Sequence, residues 1–325
     1  MNLFVHVGLP KTGTTFLQKE VFSILPITAI NKPRNRVFKG GNIWVSVLEE
    51  GFRRSPVIWD DLGEAILESF LGPPRQNRFD KEKVIISEED ITQAKEPIQL
   101  KAHLKKFRGL SKKWGFNGIR FLVSIRKQAF IFGSQYAQAS ARYIGASQED
   151  FERRVDGFID INNSYQKPNY HGHGITRNYD LLYEALRSAV GSENVLMLPY
   201  EMMKASLEDF LWHWCEFLEV EADAEDIVAQ LRQGGRLRKR NVRSVDQNTW
   251  KIRPRATGDA RLFHLRPTRL FQALGMRTKI PIRWPDFKRE KHIRVTPELR
   301  DRVMDFYEPS NRAVAEKIDI DLSQY

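Results

Sequence analysis

The chain has 325 residues, of which 41% are hydrophobic and 11% aromatic, and it carries a formal net charge of +11. This composition excludes a disordered chain, and no apolar run reaches the roughly 18 residues that a membrane-spanning helix needs. A single cysteine, Cys215, excludes an internal disulfide, and the sequence has no Cys/His cluster with zinc-binding spacing. The N-terminal apolar run is too short for a signal peptide, so we expect a cytoplasmic protein.

The first predicted elements are a strand over residues 3–7, a glycine-containing loop and a helix over residues 14–25, which Pro26 ends. A strand, a tight loop and a helix N-terminus together form a geometry that binds phosphate. The loop directs its backbone N–H groups inward, and the helix adds unpaired donors and a partial positive charge.

The loop differs from the nucleoside-triphosphate loop G-x-x-x-x-G-K-[ST]. Gly8 and Gly13 have the glycine spacing of that motif, but Thr14 occupies its lysine position and the only lysine is Lys11. A loop of this kind suits a nucleotide with one 5′ phosphate and a leaving group beyond it better than ATP with Mg²⁺.

Further along, residues 31–41 are interpreted as a basic loop, and residues 44–52 and 61–71 are predicted helices. Another helix is predicted over residues 98–107, with His103 expected at the surface.

Acidic residues follow the short predicted strand of residues 84–86. Ligands of an open parallel sheet lie beyond the carboxyl ends of its strands, and a carboxylate there could take the proton of an acceptor hydroxyl. Glu88 is the favoured base and Glu89 the second candidate. The alternative is that these acids cap the next helix and interact favourably with its dipole.

The best predicted strand, residues 119–125, ends at Arg126, and Ser134 follows eight residues later. Eight residues correspond to about two helical turns. On a helix that begins at the strand end, this spacing can bring a guanidinium and a hydroxyl to one phosphate.

In the second half of the chain, the sequence pattern predicts a helix over residues 178–186 and a strand over residues 194–199. Tyr200 and Glu201 follow this strand and are interpreted as structural residues that pack and cap the next helix. No linker clearly divides the chain, so we predict a single domain over residues 1–325, with a basic and helical C-terminal extension over about 245–325.

The segment Pro10-Lys11-Thr12-Gly13-Thr14-Thr15 resembles the 5′-phosphosulfate loop of sulfotransferases that use 3′-phosphoadenosine-5′-phosphosulfate (PAPS). Arg126 and Ser134 resemble the 3′-phosphate site of that family. The chain as a whole resembles the bacterial members of the family most. The resemblance implies a three-layer α/β/α sandwich with a central parallel sheet, related to the P-loop NTPase fold. The alternation of predicted strands and helices independently supports this fold class.

The resemblance also implies roles for individual residues. Lys11 and Glu88 would be catalytic, Lys11 on the leaving phosphate and Glu88 as the base that activates the acceptor. The implied nucleotide-binding residues are Pro10, Lys11, Thr12, Gly13, Thr14, Thr15, Arg126, Ser134, Arg240 and Asn241.

The reaction implied is transfer of a sulfuryl group from PAPS to a hydroxyl, or less readily an amine. It leaves 3′-phosphoadenosine-5′-phosphate (PAP) as product and needs no metal. The acceptor class is a carbohydrate, a glycolipid or a small metabolite, and no specific nucleic-acid partner is expected.

Two alternatives stay open from the sequence. One is a kinase with an altered loop that uses ATP, which the position of Lys11 disfavours. The other is a non-catalytic protein that binds polyanions, which the net charge suggests but no nucleic-acid motif supports. The sequence does not indicate an oligomeric state.

Overall fold

The computed structural model describes residues 2–9, 11–31, 36–38, 44–74, 83–88, 91, 97–143, 145–160, 177–235, 244–253, 264–265, 280–281, 291–318 and 320. The strands within these ranges are β1 Asn2–Gly8, β2 Thr28–Asn31, β3 Arg36–Phe38, β4 Trp44–Ser46, β5 Val84–Ser87, β6 Gly118–Ile125, β7 Val195–Pro199, β8 Thr249–Ile252, β9 His264–Leu265, β10 Ile280–Pro281 and β11 Lys291–Arg294. The α-helices are α1 Thr14–Phe16, α2 Val47–Arg53, α3 Ile58–Asp61, α4 Gly63–Leu71, α5 Pro97–Ser111, α6 Gln128–Ala139, α7 Gln148–Ile159, α8 Tyr179–Val190, α9 Tyr200–Ala205, α10 Leu207–Leu218, α11 Ala224–Gln233 and α12 Pro297–Ile318.

The central sheet has five parallel strands in the order β2–β5–β1–β6–β7. Val5 in the middle strand pairs with Ile86 on one side and Phe121 on the other. The central strands are mostly apolar because helices cover both faces of the sheet. Their parallel arrangement brings the carboxyl ends of β1, β5, β6 and β7 to one edge.

Alternate side chains of β1 enter two different cores. Leu3, Val5 and Val7 pack with residues of α2, α4, α5 and α8, whereas Phe4 packs on the opposite face with residues of α10 and α11. The protein is therefore a three-layer α/β/α sandwich, and the predicted fold class is confirmed.

A third apolar cluster lies outside the sheet. It joins α6, α7 and α12 to the antiparallel pair β8–β11, with Phe132, Trp250 and Tyr307 among its buried members. Helix α12 also contributes Val314 to the core that contains β1. The described part of the C-terminal extension thus packs against the sheet domain, while the assignment of residues 1–325 to one domain stays a prediction.

Three local predictions are corrected by the structure. Residues 44–46 form a strand instead of the start of a helix, because they pair with Arg36–Phe38, inside the predicted basic loop. The helix predicted over residues 14–25 is a short α-helical turn followed by a π-helical turn over Leu17–Val21. His103 is fully buried, and its Nδ1 accepts a hydrogen bond from Trp59 Nε1 at 2.7 Å.

None of the helices in the described ranges is long and apolar enough to cross a bilayer.

Candidate active site at the carboxyl edge of the sheet

The loop after β1 turns tightly into α1. Thr12 donates its hydroxyl to the carbonyl of Leu9 at 2.6 Å, and Gly13 precedes the helix with φ of 82°. Lys11 also has a left-handed backbone, with φ of 73°, which is uncommon for a residue with a side chain. A Cβ at Gly13 would also lie 3.2 Å from Tyr200 Cε2 and 2.3 Å from Met203 Cε, so a larger residue there would displace the end of the Met203 side chain.

Arg126 follows β6 and reaches back to the loop. Its Nη1 donates to the backbone carbonyl of Lys11 at 2.9 Å, and its guanidinium carbon lies 4.8 Å from the ring centroid of Tyr200. Tyr179 fixes the main chain of Arg126 by donating its hydroxyl to the carbonyl of Arg126. Burial lowers the pKa of Arg126, and the neighbouring Tyr200 and Glu201 act in the opposite direction.

Glu201 binds the N-terminus of α6. It accepts a hydrogen bond from the backbone N–H of Lys127 at 3.2 Å, and its Oε1 lies 3.9 Å from Arg126 Nε. Burial raises the pKa of this carboxyl group. The prediction that Glu201 caps the helix following it misses this contact with a different helix.

Tyr200 is a site residue that sequence reasoning missed. Its ring lies against both Gly13 and Arg126 and so connects the loop with the end of β6. The available signal was its position directly after β7, at the same edge of the sheet as the loop.

The two threonines of the loop differ in environment. Thr14 is buried, and its Oγ1 has no hydrogen-bond partner, whereas Thr15 is exposed. A buried hydroxyl without a partner is costly, so Thr14 carries a hydrogen-bonding group suited to a ligand of the loop.

Glu88 lies at the carboxyl end of β5, beside β1. Its N–H donates to the carbonyl of His6 at 3.2 Å, and the residue is 2% exposed. The preceding Ser87 hydroxyl lies 2.7 Å from His6 Nδ1 and 2.9 Å from Gln18 Nε2. The favoured candidate base therefore adjoins the strand that leads into the loop.

Of the remaining predicted site residues, the structure describes Ser134 but not the others. Ser134 is buried inside α6 at 2% exposure, and the convergence of Arg126 and Ser134 on one phosphate stays a prediction. The predicted site residues Pro10, Arg240 and Asn241, and the alternative base Glu89, lie outside the described residues.

A cavity of about 370 Å³ adjoins Arg126, between the carboxyl ends of β6 and β7 and helix α12. Its floor includes Arg126 and Glu201, and apolar wall residues include Ile125, Pro199 and Met304. Arg126 Nε and Glu201 Oε2 are buried without hydrogen-bond partners. The cavity thus combines the charged side chains of Arg126 and Glu201 with an apolar wall at the carboxyl edge of the sheet.

The chain matches the family model described as the sulfotransferase domain over residues 3–248. A sulfotransferase crystal structure from Alicyclobacillus acidocaldarius has a TM-score of 0.53 at 12% identity, covering 100% of this chain and 98% of its own. Mouse sulfotransferase SULT7A1 complexed with PAP has a TM-score of 0.42 at 13% identity, covering 98% of this chain and 83% of its own. A comparison with curated protein sequences gave no significant match. The family match spans well over half of the chain, which therefore belongs to the sulfotransferase family of enzymes.

Proposed function

We propose that the protein transfers the sulfuryl group of PAPS to a hydroxyl of a carbohydrate, glycolipid or small-metabolite acceptor, with an amine as the less favoured alternative. The observation that carries this proposal is the hydrogen bond from Arg126 to the carbonyl of Lys11 at 2.9 Å. It joins the residue assigned to the 3′ phosphate to the residue assigned to the leaving phosphate. Family membership favours this function over the kinase and polyanion-binding alternatives.

The loop residues fit a 5′ phosphate. Gly13 lets the backbone turn into α1, and a helix start preceded by such a turn presents N–H donors to an anion. Thr14 adds a buried hydroxyl that lacks a protein partner. Lys11 adds the positive charge, and Thr12 fixes the turn through its bond to Leu9.

Arg126 and Ser134 would recognise the 3′ phosphate, which distinguishes PAPS from ordinary adenine nucleotides. An arginine presents several N–H donors in a planar fork that suits phosphate oxygens. Nη1 of Arg126 is used on Lys11, and its Nε is buried without a partner. Tyr200 stacks beneath the guanidinium and limits its movement.

PAPS, when bound, supplies an activated sulfuryl group whose bond to the 5′-phosphate oxygen breaks during transfer. Lys11 would stabilise the negative charge that develops on that oxygen. Glu88 would accept the proton that the acceptor hydroxyl loses as its oxygen bonds to sulfur. The protein would thus position the two substrates, with Lys11 as the cation on the leaving group and Glu88 as the base.

Calorimetric titration tests the donor assignment. The ligands are PAP, 5′-AMP and ATP with Mg²⁺, each titrated into the same preparation. We expect a strong preference for PAP in the absence of metal, because Arg126 and Ser134 bind the 3′ phosphate. A preference for ATP with Mg²⁺ would overturn the proposal and favour a kinase.

A further inference from the structure

A chain of buried polar groups runs beneath the phosphate loop. His6 on β1, Ser87 at the end of β5 and Gln18 on the π-helical turn come from three different elements and meet at the Ser87 hydroxyl. His6 and Ser87 are both fully buried. Buried polar groups of this kind are expected to be hydrogen-bonded at every atom, so the direction of each bond can be worked out.

The Gln18 amide nitrogen can only donate, so the Ser87 oxygen accepts this bond. The Ser87 hydroxyl can then donate its own hydrogen to His6 Nδ1, which places the ring proton on Nε2. The opposite tautomer would leave both the Ser87 hydrogen and the Nε2 lone pair without partners. The tautomer with Nε2–H leaves a single group unsatisfied and is the favoured one.

That remaining donor lies under the loop. His6 Nε2 is buried without a hydrogen-bond partner, and so is Thr14 Oγ1. A Cβ placed on Gly8 would lie 3.2 Å from His6 Nε2 and 2.3 Å from Thr14 Oγ1. Both unsatisfied atoms therefore border the space that a Cβ of residue 8 would fill, and the glycine leaves this space open.

The imidazole is neutral and firmly oriented. Burial lowers the pKa of His6 to about 3. The rings of Phe22 and Trp214 contact it edge to face, with centroid distances of 5.6 Å and 5.0 Å. A neutral ring held in this way can act as a directional donor.

We propose that His6 is a positioning residue whose Nε2–H donates to the Thr14 hydroxyl once a phosphate occupies the loop. This bond, which the two atoms do not make in the structure, would direct the hydrogen of Thr14 toward the phosphate. The relay runs from Gln18 through Ser87 and His6 to Thr14 and ends on the anion. In this arrangement every bond would have the same direction, so each would strengthen the next. The proposal rests on the proposed function, which places the 5′ phosphate of the nucleotide in this loop.

Two substitutions distinguish the contribution of His6 Nδ1 to PAP binding from that of His6 Nε2. His6→Asn keeps an amide oxygen that can accept from Ser87 but does not reach the Nε2 position, whereas His6→Gln extends an amide nitrogen toward it. We expect the dissociation constant of PAP to rise about tenfold in His6→Asn, as for loss of one bond in a network that ends on an anion. It should change less than about threefold in His6→Gln. Trp214→Phe, which keeps both nitrogens, is the control for altered packing around the ring.

A second readout concerns the ring itself. Nitrogen-15 NMR of the wild-type protein should show His6 protonated on Nε2 and not on Nδ1, with a shift of the Nε2 signal when PAP is added. In a double-mutant cycle, Thr14→Val should weaken PAP binding much less in the His6→Asn background than in the wild type.

The outcomes separate the relay from the function on which it rests. A wild-type protein that does not bind PAP overturns the proposed function. If the wild type binds PAP, equal losses in His6→Asn and His6→Gln, unchanged affinity in His6→Asn, or protonation on Nδ1 each overturn the relay alone.

Discussion

Arg126 donates through Nη1 to the backbone carbonyl of Lys11, 2.9 Å away, and Lys11 has a left-handed backbone although it is not a glycine. A left-handed conformation costs about 1–3 kcal/mol for a residue with a side chain and persists where its surroundings stabilise it. The guanidinium of Arg126 provides such a contact. The proposed recognition of the 3′ phosphate and the conformation of the candidate catalytic lysine therefore depend on the same side chain.

Replacing Arg126 should reduce binding and turnover together. We expect Arg126→Ala to weaken PAP binding by about 10–100-fold, as for loss of hydrogen bonds to a charged group, and to remove most of the preference for PAP over 5′-AMP. Because Lys11 loses its carbonyl partner, kcat should fall as well. Titration of both nucleotides and steady-state kinetics measure these effects.

The matched control for this experiment is Arg120→Ala. Arg120 lies on β6, the strand that Arg126 follows. It pairs with Glu219, and its guanidinium carbon lies 4.2 Å from the ring centroid of Phe217. Its loss should reduce stability without changing the preference for PAP. An equal effect of the two substitutions on nucleotide preference would contradict the role of Arg126.

Lys11→Ala should impair turnover more than binding. A group that stabilises charge developing in the transition state contributes about 10²–10³-fold to kcat, so we expect a loss of this size. The dissociation constant of PAP should rise by a much smaller factor. Lys19→Ala, on the exposed side of the π-helical turn, is the control. Comparable losses in binding and turnover would argue against a role of Lys11 on the leaving group.

Glu88→Gln should spare nucleotide binding and abolish transfer. A general base contributes about 10²–10⁴-fold, and the amide keeps the size of the side chain while removing its capacity to take a proton. PAP titration and a transfer assay on the same preparation measure the two effects, with the exposed Glu68→Gln as control. An active Glu88→Gln enzyme would assign the base to another residue.

Four of the five strands of the sheet, β1, β5, β6 and β7, were predictable because their signals are local, whereas β2 was not predicted. Residues 84–86 are an uninterrupted apolar run, and residues 119–125 are apolar except for Arg120 and Ser124. Such runs are typical of buried parallel strands, and the two segments lie within β5 and β6. The loop after β1 was predictable from glycine spacing together with the position of Lys11. Each of these features depends on a few consecutive residues.

Features that depend on distant partners were not predictable. Trp44–Ser46 becomes a strand by pairing with Arg36–Phe38, and His103 is buried because Trp59 supplies a donor from a different helix. Glu201 finds its partner at Lys127, 74 residues away in the chain. In each case the sequence gives the residue type, but the residue that it pairs with is determined only when the layers pack together.

His6 should make the protein sensitive to acid. Its pKa is lowered from 6.5 to about 3 in the folded protein by burial, so the unfolded chain binds the proton more tightly. The stability associated with neutral His6 is fully present above pH 6.5 and is lost as pH falls toward 3, by about 1.4 kcal/mol per pH unit.

Urea unfolding at a series of pH values measures this effect. The free energy of unfolding should fall less steeply with acid in His6→Asn than in the wild type, because asparagine does not titrate. His213→Asn, on α10, controls for replacing a histidine elsewhere. Parallel pH profiles for His6→Asn and the wild type would contradict neutral burial of His6.

Cys215 should be inert in the folded protein. The sequence predicts a packing residue, and the thiol lies at 5% exposure in the core beneath α10. Burial raises its pKa to about 11, so little reactive thiolate forms at pH 8. We expect a disulfide reagent to label Cys215 slowly in buffer and rapidly in denaturant, with Cys215→Ala as the unreactive control. Rapid labelling of the native protein at pH 8 would show that this core opens readily, since a thiol held in apolar packing can react only through such opening.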